Sequence, residues 1–390
     1  MHERAEMRMD MRELNGNSEI KALNRIKVAK YMLDKKTASR QELAAQLGFS
    51  LPTVFQIVSD LIERGILCEA GEYGSTGGRK AKILTLRAGQ YYTVGVELSK
   101  HHIHTVLVDL TGEEIANRRE RCLFENAPAY FNRFYEVVRD FLLANGFAEE
   151  DDPRILGMGI SLPGTIDPVN NMLRQSLTLN VSELSLQRLS QRLHYPVCFG
   201  QNARNAALAE CCASDGNVVY ISLSDTVGGG ALLNGKSYTG DRFKAVLFGH
   251  MIIVPRGKKC YCGKRGCLNA YCSARNLCEE SGMPLERFFS ELEAGNPDCE
   301  KLWSKYLDWL SFAVANLRTI FDGKIVIGGD ISQYLDKYLD QLETRVVKNI
   351  IFEHDMSFVK LGKYSREVFA IGAARLMLEA SIQDSDLLRS

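Results

Sequence analysis

The stretch Cys260-Tyr261-Cys262-Gly263-Lys264-Arg265-Gly266-Cys267, which begins ten residues after His250 in Gly249-His250-Met251, decides how the rest of the chain is read. Three thiols spaced two and then five positions apart can converge on one point, because the glycines between them let the backbone turn tightly. His250 supplies a fourth donor, and Cys3His is a tetrahedral zinc set. Four protein ligands leave no coordination position for water. The expected Zn2+, held by His250, Cys260, Cys262 and Cys267, is therefore structural and performs no chemistry. Reduced, buried cysteines are the ordinary alternative, and Gly263 and Gly266 between the thiols weigh against it.

At 390 residues the chain is long enough for two or three compact units. Lys+Arg and Asp+Glu stand at 48 each, which excludes a general polyanion binder, but the charge is uneven. Residues 20–90 hold 12 Lys/Arg against 6 Asp/Glu, a basic footprint on a neutral chain of the kind that nucleic-acid binding leaves. Residues 1–17 are polar and charged, unlike a signal peptide, and are expected as a flexible tail. No stretch has the length and apolarity of a membrane span, so no membrane partner is expected. Eleven cysteines, an odd number without a secretion signal, point to a reducing, cytoplasmic location.

Within the basic region, Ile20, Leu23, Ile26, Ala29, Met32 and Leu33 recur at helical spacing. Ser39 with Glu42 three residues on forms a capping box for a second, short helix, which Gly48 ends. A third helix over 50–64 turns Val54, Ile57, Val58, Leu61 and Ile62 inward. That succession reads as a helix-turn-helix. Two strands, 66–69 and 81–86, then flank a Gly-rich loop, which adds a wing. Residues 18–88 are thus expected to form an α+β winged helix-turn-helix. Arg40, Ser50, Pro52, Thr53 and Gln56 would meet double-stranded operator DNA, with Arg79 and Lys80 on the wing tip reaching phosphate or the minor groove. A winged helix used only for protein contacts is the alternative, and the basic excess favours DNA.

Beyond Leu86 the pattern changes to β-branched strands at 91–98, 104–109, 155–161, 196–199 and 218–223, with helical stretches near 127–145 and 184–194. Strands alternating with helices predict an α/β unit. The stripe Trp303, Tyr306, Leu307, Leu310 and Ala313 is read as core or as a dimer interface.

Together, the wing sequence Ser75-Thr76-Gly77-Gly78-Arg79, the Leu162-Pro163-Gly164 turn, Gly249-His250-Met251 and the Cys-x-Cys-Gly-x-x-Gly-Cys loop resemble the ROK family (repressors, open reading frames and kinases). The resemblance runs over almost the whole chain. It implies an actin-like, hexokinase-like (ribonuclease H-like) α/β domain of two lobes behind the winged helix-turn-helix. The first lobe would span 89–200 together with 374–390, and the second, with the zinc, 201–373. It also implies a homodimer or tetramer.

Departures from the family pattern carry the functional reading. Sugar-kinase members have Glu-Asn-Asp-Ala-Asn-Ala, whose aspartate takes the proton from the sugar hydroxyl; here the run is Gln201-Asn202-Ala203-Arg204-Asn205-Ala206. A methyl group accepts no proton, and a positioned general base is worth roughly 10²–10⁴ in rate. The Asp-x-Gly-Gly-Thr phosphate loop has become Glu97-Leu98-Ser99-Lys100-His101, losing both glycines that let a backbone approach phosphate. Asp225 in the second phosphate segment is expected to repel a nucleotide. Leu247 and Asn269 replace two carboxylates that receive sugar hydroxyls, whereas Gly164, Asn202 and His250 remain. The expectation is a non-enzymatic transcriptional regulator, most often a repressor, of carbohydrate-related genes. A sugar or sugar-derivative effector would meet Gly164, Asn202, His250 and Asn269. The alternative is an ATP-dependent ROK sugar kinase.

Overall fold

The computed structural model describes residues 17–72, 82–148, 150–211, 215–384 and 388. Arg79 and Lys80 lie outside the described residues. Helix α1 (Asn17–Lys35) leads through β1 (Thr37–Ala38) to α2 (Arg40–Leu47) and α3 (Leu51–Glu63), followed by β2 (Leu67–Glu72) and β3 (Lys82–Leu86). The Ser39 side chain accepts the Glu42 N–H at 3.1 Å, and Glu42 accepts the Ser39 N–H at 3.3 Å, which completes the capping box. Gly48 caps α2 in the left-handed conformation. The strands pair antiparallel in the order β1-β3-β2. Val28, Met32, Leu43, Val58 and Leu61 are fully buried beneath them.

The next sheet has the order β11-β7-β4-β5-β6. Its antiparallel part comprises β4 (Tyr92–Leu98), β5 (His102–Asp109) and β6 (Glu114–Arg121), and α4 (Pro128–Ala144) follows. β7 (Ile155–Leu162) continues into a small meander of β8 (Thr165–Asp167), β9 (Met172–Ser176) and β10 (Val181–Ser185). Helix α5 (Gln187–Ser190) and β11 (Val197–Gln201) complete the unit, with β11 and β4 both parallel to β7. The helix expected over 184–194 is corrected here. Only Gln187–Ser190 is helical, because Val181–Ser185 is drawn into pairing with β9, where tertiary context overrides local pattern.

Helix α6 (Asn202–Glu210) precedes a second sheet of order β14-β13-β12-β15-β16. Its strands are β12 (Val218–Leu223), β13 (Val227–Leu233), β14 (Lys236–Ser237), β15 (Lys324–Gly328) and β16 (Val359–Leu361). Between β14 and β15 run α7 (Asn269–Cys272), α8 (Ala274–Ser281), α9 (Leu285–Glu293) and the long α10 (Pro297–Phe321). The short α11 (Ser332–Leu335) and α12 (Leu339–Asn349) then lead to β16. Trp303, Tyr306, Leu307, Leu310 and Ala313 of α10 are buried against this sheet, so the stripe is core.

The last helix, α13 (Val368–Asp384), joins the parts. A Cβ on Gly95 of β4 would lie 1.9 Å from the Ala370 carbonyl oxygen, and one on Gly159 of β7 would lie 1.8 Å from that of Ala373. On its other side, a Cβ on Gly372 would lie 1.8 Å from the Asn205 carbonyl oxygen in α6. The helix is thus in backbone-to-backbone contact with both halves of the large domain. Its far end supplies Leu378 and Ile382 to the core of the amino-terminal unit.

Gly159→Ala should therefore force α13 off the sheet and cost at least ~1–3 kcal/mol by overpacking, read by urea denaturation. A variant as stable as the parent would contradict this packing.

Candidate functional site

The exposed face of α3 presents Pro52, Phe55, Gln56 and Ser59 to solvent, with Thr53 half-buried beside them. Ser50 is the N-cap: its hydroxyl accepts the Thr53 N–H at 3.3 Å and lies 2.8 Å from the Thr53 hydroxyl. Arg40 is engaged within the unit. It donates to Glu69 at 3.0 Å and sits 5.0 Å over the Phe55 ring, so it steadies the helix surface as well as charging it. Phe55, 54% exposed, was missed by the reading of polar groups alone, although its position on the outer face of the third helix is visible in the periodicity. Phenylalanine can pack on a thymine methyl in the major groove.

His250, Cys260, Cys262 and Cys267 converge, with all four ligand atoms within 4.8 Å of one another. His250 Nδ1 lies 3.9 Å from Cys260 Sγ, and Cys262 Sγ lies 3.8 Å from Cys267 Sγ. A tetrahedral zinc with bonds of about 2.3 Å spaces its sulfurs by roughly 3.8 Å, so the donor set fits that ion. Gly263 and Gly266 take φ of +86° and +82°, which turns the thiols inward. His250 Nε2 faces the other way, 3.4 Å from the Tyr261 hydroxyl. Both His250 and Tyr261 line a cleft of about 830 Å³ between the two sheets.

Gly164 and Asn202 line that cleft too. Gly164, at φ +129°, turns where a Cβ would meet the Gln175 carbonyl oxygen at 2.4 Å. Asn202 Oδ1 accepts from the Ser161 hydroxyl, which in turn accepts from Asn205, each at 2.9 Å. Ala203 is buried, and its methyl group packs toward Gly228, where an added Cβ would lie only 2.8 Å away. Leu247 borders the opening, 41% exposed. Asn269 is not among the residues that line the cleft. It is buried and accepts the Val227 N–H at 2.7 Å, bracing β13 instead of facing an effector.

The end of the cleft where the kinase pattern has its phosphate loops carries the carboxyl groups of Glu97, Asp225 and Asp330. Glu97 stands in cross-strand register with Ser161 on one side and His104 on the other, and Arg119 follows on β6. Burial pushes the Glu97 carboxyl up to about 8, against the opposing pull of Arg119 and with some reinforcement from Asp330. Burial raises Asp330 as well. Asp225 is ion-paired with Arg275 at an exposed edge, which offsets part of the repulsion expected from it, while its charge still helps to raise Asp330. That partner lies 50 residues away and left no local signal.

The ROK family model matches residues 93–380. The chain belongs to the ROK family. Among ROK relatives, a xylose repressor of Caldicellulosiruptor bescii is 24% identical over 352 residues, covering 83% of this chain and 87% of its own. The DNA-binding transcriptional dual regulator NagC of Escherichia coli is 25% identical over 346 residues, covering 82% and 83%. In fold, the chain is similar to a ROK family transcriptional regulator described as a homologue of the E. coli MLC protein (TM-score 0.73, 22% identity, covering 94% of this chain and 98% of that one). It is also similar to a ROK glucokinase from Streptomyces griseus in complex with glucose and AMPPNP (TM-score 0.63, 20% identity, covering 73% and 98%). No helix among the described residues is long and apolar enough to cross a membrane.

Two outcomes follow from this geometry. The purified protein should carry about one zinc per chain by elemental analysis, and Cys267→Ser should lose the metal and melt lower, because ligation is coupled to folding. A parent that melts identically with and without metal would contradict it. Unfolded glutamate releases its proton near 4.3. Between that value and the folded one, the native state holds a proton that the unfolded state lacks, so stability falls as pH rises through the window. The melting-temperature advantage of Glu97→Gln should grow from pH 5 to 8 and level off above. A pH-independent difference would contradict the burial of an unpaired carboxyl.

Proposed function

We propose that the chain is a DNA-binding transcriptional repressor of carbohydrate-related genes, with a sugar-kinase-like domain that binds an effector and catalyses nothing. The observation that carries this reading is Ala203, a buried methyl group packed toward β13 at the position where the ROK kinase pattern has its proton acceptor. Leu247 at the cleft mouth and the protonated Glu97 at its phosphate end point the same way. Relatives named as repressors of xylose and N-acetylglucosamine genes span over four-fifths of this chain, enough to reach into the amino-terminal unit. The regulator of similar fold covers 94% of the chain and the glucokinase 73%, a difference about the size of residues 18–88.

In this reading residues 18–88 grip the operator, α3 lies in the major groove, and Arg79 and Lys80 of the wing touch phosphate or the minor groove. A homodimer, alone or within a tetramer, places two such units on a pseudo-palindromic site. The effector is a sugar or sugar derivative held by Gly164, Asn202 and His250. Zinc at His250, Cys260, Cys262 and Cys267 fixes one wall of its site. Closing the lobes on the effector would tilt α13 and, through Leu378 and Ile382, the reader packed on its end.

Electrophoretic titration against the DNA upstream of its own gene tests this. Gln56→Ala should weaken binding about tenfold, the order of one good base contact. Arg79→Ala should weaken it and lower its salt dependence. ATP-dependent sugar phosphorylation by the parent, or the same affinity in both variants, would contradict the proposal.

A further inference from the structure

A second cavity, of about 630 Å³, lies where the reader meets both lobes. Its wall is made by α1, by α6, by α13 and by the β13–β14 edge of the second sheet. Arg204, Asn205 and Leu208 of α6 line it, whereas Asn202 and Ala203 line the larger cleft, and among the lining residues only Gln201 borders both. The volume is that of a small-molecule site. Much of the wall is apolar, with Leu33, Phe199, Leu208, Leu232, Phe243 and Leu376.

The charges in that wall are unbalanced. Lys30, Lys36, Arg204, Lys236 and Arg375 stand against Asp34 and Glu379. Arg204 Nη2 donates to the carbonyls of Thr239 (3.3 Å), Phe243 (2.9 Å) and Ala245 (3.4 Å). Arg375 donates to the carbonyls of Ala209 and Gly112 and to the Tyr364 hydroxyl. Neither guanidinium is hydrogen-bonded to a carboxylate among the described residues, and the Nε of each is buried without a partner. Half-buried Arg204, held by neutral carbonyls, leaves a field that favours an anion, whereas Arg375 and Lys30 also act on the Glu379 carboxyl.

We infer that this junction cavity binds a small organic anion with an apolar body, such as an alkyl carboxylate or a phosphate ester. Its apolar part fills the space between Leu33, Leu208 and Leu376, and its charge meets the Lys30, Arg204 and Arg375 side. An occupant there touches the first helix of the reader and both lobes at once. The binding is independent of the proposed function; only its regulatory consequence rests on that reading.

The test uses the full chain and the fluorescent probe 8-anilinonaphthalene-1-sulfonate, with octanoate, octyl phosphate and inorganic phosphate as competitors. Saturable binding of one probe per chain is expected, displaced by octanoate or octyl phosphate and not by inorganic phosphate. Which of the two displaces better identifies the head group. Leu208→Trp, which fills the cavity, and Lys30→Glu, which reverses an exposed wall charge without touching the core, should each weaken binding at least tenfold. Leu247→Trp, at the mouth of the sugar cleft, should leave it unchanged. The inference is overturned if the parent shows no saturable binding or if inorganic phosphate displaces the probe equally well. It is also overturned if Lys30→Glu binds like the parent, or if Leu247→Trp abolishes binding. Loss of operator binding with intact probe binding would sink the repressor reading alone.

Discussion

Everything in this molecule hangs on the contact of one helix with bare backbone. α13 lies on Gly95 and Gly159 of the first sheet and presses its own Gly372 against α6, with distances that leave no room for a methyl group on any of the three. Thr93 reinforces the seat by donating to the Ala374 carbonyl at 3.0 Å. Close-packed interiors do not deform continuously, so such a helix transmits displacement as a rigid rod. Its amino-terminal half belongs to the lobes, and its carboxy-terminal half to the core of the reader. In the proposed reading, a change in the angle between the sheets travels along this helix to the amino-terminal unit in which Leu378 and Ile382 are packed.

The cleft is bordered both by Phe369 of that helix and by His250 and Cys262 of the His/Cys cluster. His250 turns one ring nitrogen to the thiols and the other to Tyr261 and the cleft, so whatever fixes the cysteine loop also fixes a cleft wall. The same cleft is lined by the buried methyl group of Ala203, by Leu247 at its opening and by the buried Glu97. In the proposed reading these groups leave a phosphoryl transfer without the charge stabilisation it needs, and Asn202 and the Gly164 turn meet the effector.

How much of this was legible beforehand depended on range. The capping box at Ser39 and Glu42, the left-handed Gly48 and the convergence of Cys260, Cys262 and Cys267 with His250 are each carried by residues less than twenty positions apart, and each shows in the spacing. The strand Val181–Ser185 was not, since its partner β9 decides its state. Three side chains acquired unexpected roles from distant partners: Arg40 from Glu69, Asp225 from Arg275, and Asn269 from the Val227 amide. Gly95 and Gly159 lie inside β4 and β7. Their purpose is set by a helix that returns more than 200 residues later, which no local pattern encodes.

The claim at the centre is that this ROK chain reads duplex DNA with a body that no longer transfers phosphate. Nuclease footprinting of the full-length protein on the DNA upstream of its own gene addresses it most directly. Two symmetric protected half-sites, about one helical turn apart or a multiple of it, are the expected result. Absence of protection at protein concentrations where the same sample phosphorylates a sugar would contradict the account.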